Sequence, residues 1–186
     1  MKIYIKNMVC IRCKMVVKTE LEKHGLNYTL VELGEADINE NLSKEQLDRL
    51  SNALKKYGLE LMDDKKSILV EKIKTIIIEL VHYSDDQIKV NLSDYLSKKL
   101  DYNYTYLANL FSEVKGTTIE NFYLSHKIEK VKELLVYDEL NLTEIAFKLH
   151  YSSVAHLSNQ FKKMTGLTPS HFKSLKNRRR NTLGNV

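Results

Sequence analysis

The spacing of apolar and polar positions changes once along the chain, near residue 65. Before it, four short segments are expected to be strands, at 2–6, 28–33, 35–39 and 59–62. Apolar positions at helical spacing appear over 15–21, and the capping-box sequence Ser43-Lys44-Glu45-Gln46 begins a second predicted helix. The resulting order, β-α-β-β-α-β, is that of a ferredoxin-like split unit, which we expect to form a domain over residues 1–65.

After residue 66 the spacing is helical almost throughout. The only proline is Pro169, so no earlier residue forbids a long helix. Residues 68–81 are predicted to form a helix that is buried on more than one side, and 120–136 a long helix with one apolar face. We therefore predict an α+β protein whose ferredoxin-like domain is followed by an all-α domain over residues 66–186.

An internal repeat divides this helical part. The sequence Asn91-Leu92-Ser93-Asp94-Tyr95 recurs fifty positions later as Asn141-Leu142-Thr143-Glu144-Ile145. At the same offset Leu107, Phe111, Gly116 and Phe122 recur as Leu157, Phe161, Gly166 and Phe172. Each copy resembles a helix-turn-helix unit, so we predict units at about 91–116 and 141–166, joined by the long helix. The alternative is an ordinary helical bundle that happens to be duplicated.

Charge favours the first of these interpretations. The net charge is +5, and residues 141–186 carry eight Lys or Arg against one Glu. This excess would suit a polyanion such as nucleic acid. Part of this positive charge lies in a basic tail from about residue 174, which contains Arg178-Arg179-Arg180. The simplest interpretation of this tail is a solvated end.

Several classes of protein are excluded. The only cysteines, Cys10 and Cys13, lie in one short motif, which argues for thiol or metal chemistry in a reducing compartment rather than a secreted disulfide scaffold. No apolar run approaches the ~18 residues of a membrane span, and the alternating start lacks the core of a signal peptide. We expect a cytoplasmic protein without a membrane partner. It carries no nucleophile elbow or phosphate-cradling glycine loop, so we do not expect an enzyme.

The second copy resembles the AraC/XylS family of bacterial transcription regulators. The resemblance lies in Leu142-Thr143-Glu144-Ile145-Ala146, Leu149-His150-Tyr151, Leu157-Ser158-Asn159-Gln160-Phe161-Lys162-Lys163 and Thr165-Gly166-Leu167-Thr168-Pro169-Ser170. It extends over residues 68–175 and includes 127–135 as the linker helix. Two residues depart from the family pattern. His150 stands where the family usually has glycine, which leaves a different turn geometry open, and Lys127 stands where it usually has arginine.

The resemblance implies that two recognition helices enter successive major-groove segments about 34 Å apart on one duplex. The residues expected to face DNA on the two helices are Tyr104, Thr105, Ala108 and Asn109, and then Val154, Ala155, His156 and Asn159. The residues expected to face the core instead are Leu107, Phe111, Leu157 and Phe161. Thr143, Ser158, Lys162 and Lys163 are candidate phosphate ligands. Asn109 and Asn159 are equivalent and are suited to adenine. Duplex DNA is the expected partner, RNA polymerase is a further candidate, and the chain is expected to be a monomer or weak dimer.

The two cysteines lie between the first strand and the first helix, in Asn7-Met8-Val9-Cys10-Ile11-Arg12-Cys13. This loop resembles that of heavy-metal-associated domains, although Asn7 and Leu59 replace the glycine and aromatic residue common there. The resemblance implies that Cys10 and Cys13 bind Cu(I) or another soft metal while Met8 packs beneath the loop. A thiol redox switch and a structural loop that binds a partner are the alternatives. A metallochaperone or thiol oxidoreductase with a helical adaptor is the rival to a regulator.

Overall fold

The computed structural model describes residues 1–83, 90–137 and 140–175. The predicted basic tail lies outside the described residues from 176 onward. Among the helices described, none is long and apolar enough to cross a membrane.

The N-terminal part alternates strands and helices in the predicted order. Its elements are β1 (Lys2–Lys6), α1 (Ile11–Lys23), β2 (Tyr28–Glu32), β3 (Glu35–Ile38), α2 (Lys44–Lys55) and β4 (Glu60–Met62). The strands form one antiparallel sheet in the order β2-β3-β1-β4. The β-α-β-β-α-β prediction is therefore confirmed.

One face of this sheet carries the hydrophobic core. The period of two along β1 buries Ile3 and Ile5 against α1 and α2, where Leu21 and Leu54 are fully buried. The capping box of α2 is present, because the Ser43 hydroxyl accepts from the Gln46 N–H while the Gln46 side chain accepts from the Ser43 N–H.

The helix α3 (Lys65–His82) packs beside the residues of β1 that point away from this core. The Lys72 Nζ lies 4.8 Å from the centroid of the Tyr4 ring. At Gly34, which has φ +84°, a Cβ atom would lie 3.1 Å from Thr75 Oγ1. Glycine at the β2–β3 turn therefore permits both the backbone geometry and the close approach of α3.

The remaining described helices follow the predicted repeat. They are α4 (Leu92–Leu100), α5 (Tyr104–Lys115), α6 (Ile119–Tyr137), α7 (Leu142–Lys148) and α8 (Val154–Thr165), and residues 169–175 are also helical. The first predicted helix-turn-helix contains α4 and α5, the linker helix is α6, and the second unit contains α7 and α8.

The chain divides into two compact units. The first contains Met1–Ile78 and Ser93–Gly116, and the second contains the described residues of 79–92 and those from 117 onward. The first helix-turn-helix thus belongs to the same unit as the sheet, and the second belongs to the unit of the linker helix. The predicted domain boundary near residue 65 falls at the first residue of α3, and it stays a prediction.

Candidate nucleic-acid interface and thiol site

The helices α5 and α8 are built in the same way. The Asn103 side chain caps α5 by accepting from the Thr105 N–H at 2.9 Å, and the Ser153 hydroxyl caps α8 by accepting from the His156 N–H at 3.0 Å. Both helices end at a left-handed glycine, Gly116 with φ +67° and Gly166 with φ +77°. The two helices therefore have equal length and present equivalent first turns.

Each helix is held by the same pair of buried side chains. Leu107 and Phe111 in α5, like Leu157 and Phe161 in α8, have no exposed surface, as predicted. The Phe161 ring meets the ring of Phe172 from the following helix at 5.5 Å in an edge-to-face arrangement. This anchoring fixes which face of each helix stays open to solvent.

Eleven of the twelve residues predicted to face DNA lie on α5 and α8, and Thr143 lies in α7. The exposed ones are Thr105, Asn109, Thr143, Ala155, His156, Asn159, Lys162 and Lys163, and the half-buried ones are Tyr104, Ala108, Val154 and Ser158. Asn109 and Asn159 occupy equivalent places on the two helices. All twelve are accessible, and their contact with DNA stays a prediction.

Sequence reasoning missed an aromatic pair on the first copy. Tyr106 is the equivalent of His156, is 45% exposed, and stacks on Tyr102 with ring centroids 5.6 Å apart. In the second copy the same two positions hold Ser152 and His156, whose Oγ and Nδ1 lie 2.9 Å apart. The fifty-residue offset was a sufficient signal for Tyr106, because His156 was already a candidate. The two open faces thus carry different chemistry at matched positions.

The turns between the paired helices share a left-handed residue. His150 has φ +55° and Asp101 has φ +59°. These positions correspond at an offset of 49 rather than 50, because the second copy has one more residue between this position and the cap of α8 than the first copy has before the cap of α5. His150 therefore keeps the backbone geometry that glycine would adopt at this point, so the replacement of glycine leaves the turn geometry as it is in the first copy.

Lys127 of α6 packs over Tyr151, the residue that follows His150 in the turn between α7 and α8. Its Nζ lies 4.0 Å from the centroid of the Tyr151 ring and 5.6 Å from that of Tyr123. Burial lowers the pKa of Lys127 to about 8 and raises the pKa of Tyr151 to about 12, the latter helped by Tyr123. This lysine, at the family's usual arginine position, thus joins the linker helix to the turn before α8.

The two thiols lie together at the start of α1. Cys10 is the N-cap residue and Cys13 lies in the first turn, with their Sγ atoms 3.5 Å apart. The backbone N–H of Cys13 lowers the pKa of the Cys10 thiol, with further help from the backbone N–H and charge of Arg12, while burial opposes the shift. Met8 is 2% exposed and packs in the sheet core, as predicted.

The chemistry of this donor set fits a soft ion with few ligands. Both thiols are partly exposed, and the apolar side chains of Val9, Ile11 and Met15 around them are open to solvent. In the described parts of the chain no three His, Cys, Asp or Glu side chains gather as a metal cluster. Two thiolates alone suit a soft d¹⁰ ion better than the tetrahedral set that zinc requires.

Asn7 links the thiol loop to α3. It has φ +70°, and its side-chain Nδ2 donates to the Gly58 carbonyl at 2.9 Å. Its backbone N–H donates to Oε1 of Glu71 at 3.1 Å, and its own carbonyl lies 3.9 Å from the Cys13 Sγ. One residue therefore contacts the thiol site, the segment before β4 and the helix that follows the sheet.

Glu71 is a buried carboxylate with 5% exposure. Lys74 donates to both of its oxygens at 2.8 Å. Lys115, the last residue of α5, is also within its electrostatic reach. Burial and the charge of Lys74 lower the pKa of Lys115, and Glu71 raises it. The carboxylate thus lies between Asn7 and the C-terminal end of α5, within one compact unit.

Sequence comparison identifies a matching family model and two relatives. Residues 96–174 match the family model of a helix-turn-helix domain. The chain is 25% identical over 157 residues to the uncharacterized HTH-type transcriptional regulator YtdP of Bacillus subtilis, which covers 82% of this chain and 20% of that protein. It is 26% identical over 129 residues to the transposon Tn10 TetD protein of Escherichia coli, and this alignment covers 69% of this chain and 90% of that protein. The chain thus spans about a fifth of the length of the Bacillus relative.

Solved structures share the fold. The C-terminal domain of AraT, a response regulator from Geobacillus stearothermophilus, aligns with a TM-score of 0.51 at 22% identity, over 60% of this chain and 88% of that chain. The DNA-binding domain of AdpA, solved with a target DNA, aligns with a TM-score of 0.50 at 17% identity, over 64% and 98%. The resemblance of residues 1–65 to heavy-metal-associated domains stays a prediction. Residues 96–174 therefore carry a helix-turn-helix domain, which supports the resemblance of this part of the chain to the AraC/XylS family.

Proposed function

We propose that this chain regulates transcription by binding duplex DNA through α5 and α8, which enter successive major-groove segments. The observation that carries the proposal is the duplicated construction of these helices, each with a capped first turn, a buried Leu and Phe, and an open opposite face. The fold shared with the AdpA domain that was solved with DNA supports the same conclusion.

Base and phosphate contacts are divided between different parts of each helix. Asn109 and Asn159 lie in the middle of the open faces, where a side-chain amide can bind adenine in a bidentate manner. Lys162 and Lys163 are exposed in the last turn of α8 and suit phosphate. Tyr106 and His156 differ in chemistry, so the two copies are expected to recognise different half-sites.

The test is selection of bound duplexes from a random pool, followed by affinity measurements at several salt concentrations. Binding should weaken steeply with salt, and Lys162→Gln should reduce the salt slope by about one phosphate. Asn159→Ala should cost about 1–3 kcal/mol at one base pair only. Lys18→Gln, a charge change at an exposed position of α1, is the matched control and should alter neither. Absence of saturable duplex binding would overturn the proposal.

The N-terminal part is proposed to sense a soft metal such as Cu(I) at Cys10 and Cys13. Three features support this: the 3.5 Å separation of the sulfur atoms, their partial exposure, and the lowered pKa of Cys10. A bound soft ion would supply a strong link between the two sulfur atoms. The chain's own residues favour ionisation of the Cys10 thiol, because the Cys13 N–H and Arg12 lower its pKa.

The signal is proposed to pass from the thiol loop to the first recognition helix through Asn7 and Glu71. A change at Cys13 bears directly on the Asn7 carbonyl, and the Asn7 N–H is held by Glu71. A ligand shifts an equilibrium only if it binds one arrangement better than another. Metal binding would therefore have to favour one arrangement of Asn7, Glu71 and Lys115 over another.

Metal and redox sensing are separated by two measurements on the reduced protein. A Cu(I) titration against a competing chelator should give one tight ion per chain, and Cys10→Ser and Cys13→Ser should each abolish it. DNA affinity measured by fluorescence anisotropy should change on metal addition in the native chain only. If instead a glutathione buffer forms a reversible disulfide that changes DNA affinity while Cu(I) does not, the thiol pair is a redox switch. If neither treatment alters DNA binding, the loop is structural.

A further inference from the structure

We propose that a groove in the first compact unit binds a small organic monoanion with an apolar body. The groove has a volume of about 830 Å³ and is lined by β1, α2, β4, the first turns of α3 and the turn after α4. Sites for small molecules in proteins usually occupy about 300–1,000 Å³, so the size is suitable. This site does not include the thiol pair.

Apolar side chains and lysines share the lining. Leu47 of α2, Leu61 of β4, and Ile68 and Leu69 of α3 supply the apolar surface. Charged residues of both signs also line the groove: five lysines, Lys2, Lys44, Lys65, Lys72 and Lys99, and two aspartates, Asp48 and Asp63. An apolar lining with an excess of cations favours a ligand that combines an apolar body with negative charge.

The lysines are not equivalent. Lys2 already pairs with Glu35 at 2.8 Å and with Asp37 at 3.7 Å. Lys72 is half-buried and lies 4.8 Å from the centroid of the Tyr4 ring, and among the described residues it forms no ion pair with a carboxylate. A partly desolvated ammonium group on an aromatic wall is a suitable partner for a carboxylate. One such group points to a monoanion.

The groove also reaches the first helix-turn-helix. Leu100 ends α4 and Tyr102 lies in the turn, and both line the groove. The Tyr102 ring stacks on Tyr106 of α5 at 5.6 Å. A ligand that contacts Tyr102 therefore acts, through one aromatic contact, on a side chain of the proposed DNA-facing surface. Occupancy of the groove should change DNA affinity, a consequence that rests on the proposed function.

The test uses 2-naphthoate as the probe and the neutral 2-naphthalenemethanol as its isostere. Titration of the full chain, followed by NMR, should shift the methyl signals of Leu47, Ile68 and Leu69 and leave those of Val9 and Ile11 unchanged. The neutral isostere should bind at least tenfold more weakly, and Lys72→Gln should weaken 2-naphthoate by about tenfold, the loss expected for one charge-assisted contact. Lys18→Gln should bind like the native chain.

Equal binding of the two probes, unchanged affinity in Lys72→Gln, or shifts outside the groove would each overturn the proposal. The experiment contains no DNA, so its outcome is independent of the proposed function. A chain that binds duplex DNA but no 2-naphthoate contradicts the ligand site alone. One that binds 2-naphthoate but no duplex contradicts the regulator alone.

Discussion

Three residues other than glycine adopt left-handed backbone geometry in the described part of the chain: Asn7, Asp101 and His150. Asn7 and His150 stand where the resembled families commonly have glycine. The sequence therefore departs from both patterns at positions where the backbone still requires positive φ. Asn and Asp tolerate this geometry through local hydrogen bonds, whereas histidine has less compensation.

His150→Gly should stabilise the fold by about 0.5–1 kcal/mol. The steric cost of φ +55° for a residue with a Cβ atom is about 1–2 kcal/mol, and glycine removes it. Glycine also raises the backbone entropy of the unfolded chain, so the net gain in stability is smaller than this cost. Urea denaturation measures the change. Lys163→Gly, at an exposed position inside α8, is the control and should destabilise by about 1 kcal/mol. Destabilisation by both variants would contradict strain at His150.

Lys127 should make stability depend on pH in a defined direction. Its pKa is about 8 in the folded chain, below the ordinary 10.5, so below pH 8 the folded state carries the full penalty of a buried charge. As pH rises from 8 towards 10.5, the folded state loses this proton first and the penalty disappears. Lys127→Met should therefore be more stable than the native chain by about 1–3 kcal/mol at pH 7.

This difference should shrink by pH 9.5, as measured by urea denaturation at the two pH values. The measurements stop at pH 9.5 because the pKa of Tyr151 is raised to about 12 in the folded chain. Above pH 10 the unfolded chain loses the Tyr151 proton first, which lowers the stability of the folded state. A difference that does not vary with pH would show that the charge of Lys127 is fully offset by the rings of Tyr123 and Tyr151.

At the scale of helices and strands, α5 and α8 share one construction but expose different side chains. Their caps, lengths and buried anchors agree, since these features decide whether the helix forms and docks. Their open faces differ at Tyr106 and His156. Local sequence was sufficient to predict the shared features because caps and apolar spacing act within one or two turns. The pairing of Tyr106 with Tyr102 depends on how the turn after α4 is folded.

The hydrogen bond between Asn7, which follows β1, and Glu71 of α3 gives a prediction at this scale. Glu71→Gln should leave the metal-free affinity for DNA within about twofold of the native value while the ratio of affinities with and without Cu(I) falls towards one. The amide can still accept from the Asn7 N–H, but Lys74 and Lys115 lose a carboxylate. The unfolding free energy should fall by about 1–3 kcal/mol for the same reason.

The matched control is Glu129→Gln, which removes an exposed pair with Lys132 of the same i,i+3 spacing in α6. It should change stability by less than about 0.5 kcal/mol and leave the response to Cu(I) intact. Anisotropy titrations and urea denaturation on the three proteins are sufficient. If Glu71→Gln responds to Cu(I) as fully as the native chain does, the signal does not pass through Glu71.

At the scale of the whole molecule, the two helix-turn-helix copies belong to different compact units. The first shares its unit with the thiol loop, with Glu71 and with the groove, whereas the second shares its unit with α6 and Lys127. Both proposed inputs therefore lie in the same unit as the first copy. We expect a regulatory ligand to alter recognition by α5 more than recognition by α8.

The expected difference between recognition by α5 and by α8 can be measured with a duplex obtained by selection from the random pool. Asn109→Ala and Asn159→Ala should each relax specificity at one position, and the two positions should be separated by about 10–10.5 base pairs, one helical turn. In a comparison of footprints with and without Cu(I), protection should change mainly over the half-site that Asn109→Ala affects. Uniform change over both half-sites would contradict a route confined to the first unit.

The sequence by itself determined the element order, the cap of α2, the repeat and the buried anchors Leu107 and Phe161. These follow from periodicity and hydrogen-bonding preferences that act over a few residues. Only the tertiary structure decided that α3 packs beside β1, that Asn7 meets Glu71 sixty-four residues away, and that Lys127 covers Tyr151. Each of these depends on which distant faces come together, and an apolar or charged position in sequence does not specify its partner. The same reason explains why the groove beside Lys72 was not predicted, since its lining comes from five separate segments.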